Sequence, residues 1–113
     1  MKKLFLTLTM LVALSLGLQA ASETWNGVPL VDSMCAAKVK ADPDKHPTKC
    51  AIQCQASGYG ILTSDGTFLK FDSAGNDKAL AALKATKKAD HLRATVTGEK
   101  DGDTIKVDSL SLD

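Results

Sequence analysis

An excess of charge of either sign is what this 113-residue sequence most clearly lacks: 14 Lys and Arg stand against 13 Asp and Glu, a formal net charge of +1. A near-neutral chain lacks the electrostatic footprint that nucleic-acid binding needs, so nucleic acid is excluded as a partner. The apolar run from Leu4 to Leu18 covers about 15 residues, short of the ~20 that span a bilayer. No Lys/Arg cluster follows it, which argues against a stop-transfer anchor. Cysteine is sparse and odd in number, with three, and none forms the Cys-x-x-Cys pair of thioredoxin-like chemistry. Asp42, Asp44 and Asp65 do not form the Asp-x-Asp-x-Asp-Gly loop with closing Glu that calcium requires. No acid–base or nucleophilic constellation stands out, and the reading is of a protein that is not an enzyme.

What is present begins with Met1-Lys2-Lys3, the apolar run and the small residues Ala20 and Ala21. A positive start, an apolar stretch and a small-residue end are the three parts of a secretory signal. Residues 1–21 are therefore expected to be a cleavable signal peptide, cut after Ala20 or Ala21. Residues 22–113 are expected to form a single periplasmic or secreted domain with no stable membrane anchor. No cysteine lies near the junction to take a lipid. Loss of Lys2 and Lys3 moves the formal charge of the remaining chain to −1, since the leader contains no acid.

The mature chain reads as strand, small helical insert, two strands, helix, two strands. Thr24–Asp32 leans to β, with Pro29 predicting an edge or a bulge. A helical turn over 33–40 and a proline-punctuated loop over 41–47 follow. Next comes a short helix from Thr48, its N-cap, to Ser57, stopped by Gly58. Tyr59–Thr63 and Thr67–Phe71 form a hairpin across Asp65-Gly66. Asn76 or Asp77 is expected to cap a helix that runs to Lys84 with Leu80 and Leu83 on its apolar stripe. Leu92, Ala94 and Val96 alternate with polar residues, and Ile105 and Val107 continue the pattern after Asp101-Gly102-Asp103. Leu110 and Leu112 resume it out of phase, which predicts a β-bulge at Asp108-Ser109. This order fits a mainly β protein, an OB-like five-stranded Greek-key barrel with a short helical insert after strand 1 and a helix between strands 3 and 4. The competing architecture is an open antiparallel sheet with a helix on one face.

Gly27-Val-Pro-Leu-Val-Asp-Ser-Met-Cys35, Cys50-x-x-x-Cys54, Gly58-Tyr59 with Asp65-Gly66, and Val96-Thr-Gly-Glu-Lys-Asp-Gly-Asp-Thr-Ile105 together resemble an uncharacterised family of small exported bacterial proteins. The resemblance spans nearly the whole mature chain and implies an OB-like barrel. It implies no activity, since a fold does not set a function.

Cys35, Cys50 and Cys54, with His46 four residues before Cys50, are the cluster in which chemistry is concentrated. On a helix Cys50 and Cys54 share a face about 6 Å apart, and both can be directed at Cys35. The first reading is a disulfide, since export implies an oxidising compartment. Cys35 bonded to Cys50 or Cys54 closes a loop of about 15 to 20 residues, worth on the order of 3 kcal/mol, and leaves one thiol over. The second is a metal site for Zn or Cu, made by Cys35, His46, Cys50 and Cys54, with Met34 adjacent to favour copper. A redox or nucleophilic cysteine paired with His46 or His91 is a third. His91 and the lysines at 84, 87, 88 and 100 read as solvated surface. Trp25, Tyr59 and Phe68 are candidates for a ligand face that stacks bases or sugars, whereas Phe71 reads as core. The sequence thus points to a monomeric, disulfide-stapled binding or envelope-accessory module for an unknown ligand or envelope partner, without a cofactor. The alternative is a periplasmic metal-binding protein.

Overall fold

Strands of four to ten residues are short to leave with open edges, and here they close on themselves. The computed structural model describes residues 21–113. Its strands are β1 (Glu23–Asp32), β2 (Tyr59–Leu62), β3 (Phe68–Phe71), β4 (Arg93–Asp101) and β5 (Thr104–Leu112). They form a closed barrel in the order β1-β2-β3-β5-β4, with β3 and β5 parallel and every other pair antiparallel. Between β1 and β2 lie α1 (Ala36–Val39), α2 (Thr48–Gln53) and two 3-10 turns, Pro43–Lys45 and Gln55–Ser57. Between β3 and β4 lies α3 (Ser73–Ala85). The architecture is the mainly β, OB-like barrel expected from the sequence, closed rather than an open sheet. The signal segment expected over residues 1–21 lies, but for Ala21, outside the described residues. Among the described residues no helix is long and apolar enough to cross a membrane.

The alternation read in the last two strands fills the barrel. Ala94, Val96, Ile105 and Val107 are buried beside Leu30, Ile61, Leu69 and Phe71. Thr97 pairs with Ser109 while Gly98 pairs with Val107, so Asp108 is the extra residue of the expected bulge. A second irregularity lies in β1 between Trp25 and Val28, where Gly27 takes φ +58, a region glycine enters without a Cβ penalty. Pro29 faces Arg93 of β4, and pairing with β2 starts only at Leu30. Its missing N–H therefore falls on a stretch of edge with no partner.

Two helices differ from expectation at their boundaries. α3 begins at Ser73, capped by Asp72, whose carboxylate accepts from the Gly75 amide at 2.9 Å. Asn76 is one turn inside, and its Oδ1 accepts from the Tyr59 amide at 2.8 Å, tying α3 to β2. Gly75 makes that early start possible: a Cβ there would lie 2.5 Å from Val107 Cγ2 and 2.7 Å from Phe71 Cβ. α2 ends at Gln53, with a 3-10 turn completing the stretch to Ser57. Thr48 is its first residue rather than its cap; its hydroxyl donates to the Lys88 carbonyl at 2.7 Å and its amide to Ala89 at 2.8 Å.

Candidate functional site

Along β1, Leu30 and Asp32 share the core-facing row, because alternate side chains of a strand point the same way. Leu30 packs in the main core, and Asp32, at the end of the row, has no exposure at all. Val31 points to the other face and packs under Ala36 and Val39 of α1, with Leu62 and Phe68, in a second small cluster. The insert thus covers both faces of the strand end, and a carboxylate that would ordinarily cap a strand in water is sealed in.

A buried carboxylate is costly unless its oxygens are satisfied. Asp32 Oδ2 accepts from the Cys35 amide at 3.0 Å, which closes the turn into α1. Asp32 Oδ1 lies 2.7 Å from His46 Nε2, and His46 is itself only 4% exposed. The loop carrying His46 is held from three sides. Its backbone turns through Pro43–Lys45. The Arg93 guanidinium donates to both oxygens of Asp44 at 2.9 Å and to the Gly27 carbonyl at 3.1 Å. On the far side of His46, Thr48 is bonded to the segment before β4. A fork-to-fork Arg–carboxylate pair fixes orientation as well as distance.

These constraints bring three different donors together. One carboxylate oxygen of Asp32, Sγ of Cys35 and a ring nitrogen of His46 all lie within 4.8 Å of one another. Ligands bound to zinc at about 2.0–2.3 Å stand roughly 3.3–3.8 Å apart in a tetrahedron, so modest side-chain rotation suffices to converge on one ion. Burial pushes the Cys35 thiol up from its ordinary pKa, and the Asp32 charge and hydrogen bond and the neighbouring Cys54 thiol push the same way. These effects all favour the protonated thiol. That is the wrong state for a free nucleophile, whereas a bound cation would remove the proton and hold the thiolate.

Of the four ligands read from the sequence, Cys35 and His46 meet in this group. Cys54 stands beside Cys35, and Cys50 is outside the group. Asp32 takes a place that sequence reasoning did not give it. The available signal was its position three residues before Cys35, the spacing at which a carboxylate caps a turn. All three cysteines are free and half-buried, so the expected disulfide staple is not formed among the described residues. Met34 is 66% exposed and not part of the group.

The aromatic candidates do not form one face. Tyr59 is a core residue, 1% exposed, paired in register with Asp32 and with its hydroxyl donating to the Ala51 carbonyl at 2.8 Å. Burial, then the charges of Asp32 and Cys54, raise its pKa. Phe68 lines a cleft of about 660 Å³ with Ala37, Lys40 and Leu62, whereas Trp25 lines a separate depression with Glu23 and Lys100. Asp42, Asp44 and Asp65 have separate partners in Lys45, Arg93 and Thr63. His91 is exposed at φ +54 and bonded to Asp90 at 2.7 Å. Comparison of the chain with protein-family profiles, with curated proteins and with solved structures finds no match.

Proposed function

We propose that this protein is an exported binding module whose ligand is a single transition-metal ion, Zn²⁺ in the first place, held by Asp32, Cys35 and His46. The observation that carries the reading is the convergence of an oxygen, a sulfur and a nitrogen donor within 4.8 Å on a carboxylate and an imidazole that are both buried. A mixed O/S/N set suits a borderline ion such as zinc. Copper(I) favours sulfur-rich surroundings, and Met34, the thioether nearest in sequence, is turned to solvent. Free thiols favour the metal over the stapled accessory module, which needs two of the three cysteines bonded. In this reading the barrel is a rigid scaffold, and the insert between β1 and β2 is the working part. The leader expected over residues 1–21 supports a site of work outside the cytoplasm.

Cobalt(II) is the direct probe, because a thiolate bound to it absorbs strongly in the near ultraviolet. Titration of the reduced protein with Co²⁺ should give that band with an end point of one ion per chain, and Zn²⁺ should bleach it. Cys35→Ser should remove the band and His46→Asn should weaken binding at least tenfold. A reduced, folded wild-type protein that gives no band at micromolar metal overturns the proposal.

A further inference from the structure

The turn that carries Cys35 is stitched to the segment that carries Cys54. The Ser33 amide donates to the Gly58 carbonyl at 2.9 Å, and the Met34 amide to Ser57 Oγ at 3.2 Å. That hydroxyl in turn donates to the Cys54 carbonyl at 2.8 Å. These bonds hold the Cys54 segment against the Cys35 turn, and the Cys54 thiol is a hydrogen-bond neighbour of Cys35. Cys50 is one helical turn back along α2, its carbonyl accepting from the Cys54 amide at 3.1 Å. It has no such bridge to the Cys35 turn among the described residues. Two thiols thus lie on bonded segments, one of them in the candidate ligand group.

We propose that Cys35 and Cys54 form a reversible disulfide that competes with the metal for Cys35, so that the site loads when reduced and empties when oxidised. The inference rests on the metal reading above. In the step, the metal-bound Cys35 thiolate and the Cys54 thiol form one S–S bond, giving up two electrons and the Cys54 proton and releasing the zinc ion. A protein disulfide, the class of oxidant that acts on exported thiols, accepts the two electrons and, with that proton and one from water, becomes a dithiol. Cys35 then has no lone thiolate to offer, and two ligands remain where three stood. Once the metal has left, Asp32 and His46 pair with each other at 2.7 Å, so neither buried group is left without a partner. Cys50 plays no part.

The test uses the zinc-loaded protein and diamide, which takes two hydrogens from a dithiol. Zinc release is followed with a chromophoric chelator, and the pairing is read from a non-reducing peptide digest by mass spectrometry. Wild type should release its zinc in step with the appearance of a peptide joining residues 35 and 54, and a dithiol reductant should restore binding. Cys54→Ser should load zinc with unchanged stoichiometry and release it at least tenfold more slowly under the same oxidant. Cys50→Ser should behave as wild type. Release that is equally fast from Cys54→Ser, a digest that joins 50 to 54 or 35 to 50, or an oxidised protein that keeps its zinc overturns the proposal. Reduced protein that takes up no zinc overturns the metal reading itself, and the digest then still decides the pairing on its own.

Discussion

Asp32 is the residue on which the insert turns. It is sealed, and one oxygen holds the α1 turn while the other holds His46. Removing it leaves a buried imidazole and a part-buried amide without their partner. Breaking a buried pair from one side costs far more than the pair itself is worth. Asp32→Ala should therefore lower the stability of the metal-free protein by about 3 kcal/mol in urea unfolding. A loss under 0.5 kcal/mol, the size of an ordinary surface change, would contradict this account of the site. A second residue-scale consequence concerns pH. The Arg93 guanidinium, chiefly through its hydrogen bonds, holds the Asp44 carboxyl below the usual carboxylate range. A depressed folded pKa means that the pair stabilises the fold above the unfolded value of about 3.9, and that this is lost as pH falls through the lower folded value. Carboxyl titration by NMR should show Asp44 moving back up in Arg93→Gln; an unmoved titration would mean that Arg93 does not orient the loop.

At the scale of elements, α3 sets helix propensity against packing. Alanine is favoured over glycine by about 1 kcal/mol inside a helix. At Gly75, however, the added methyl would stand 2.5 Å from Val107 Cγ2, and overpacking of this kind costs typically 1–3 kcal/mol. Gly75→Ala should thus destabilise on balance, by about 1 kcal/mol in thermal or urea unfolding; a gain in stability would show that α3 sits more loosely on β3 and β5 than described. The same residue explains what sequence reading could and could not see. A glycine in a first turn looks like a break, so the cap is read one turn late, at Asn76 or Asp77 instead of Asp72. The β4–β5 bulge, by contrast, is legible, because alternation and its slip at Asp108 are local properties. The site is legible in part. Cys35 and His46 are recognisable as ligand types, whereas Asp32 looks like any polar strand end until the insert folds over it. Tyr59 reads as an exposed aromatic for the same reason: the helix that accepts its hydroxyl covers it.

On the scale of the whole molecule, the barrel and its insert divide the labour. The closed sheet supplies the core and a fixed strand end. The insert supplies two of the three donors, Cys35 and His46, and ties the loop to β4 through Asp44 and Arg93. The barrel itself follows from alternation, turn chemistry and the bulges, while the site follows from where β1 stops. The central claim is that the metal-binding set contains one sulfur, from Cys35, rather than the three sulfurs of a cysteine cluster. X-ray absorption at the zinc edge of the reduced, zinc-loaded protein tests it most directly. The account predicts one sulfur at about 2.3 Å and the remaining first-shell ligands, nitrogen or oxygen, at about 2.0–2.2 Å. A shell with three sulfurs, or with none, would contradict it.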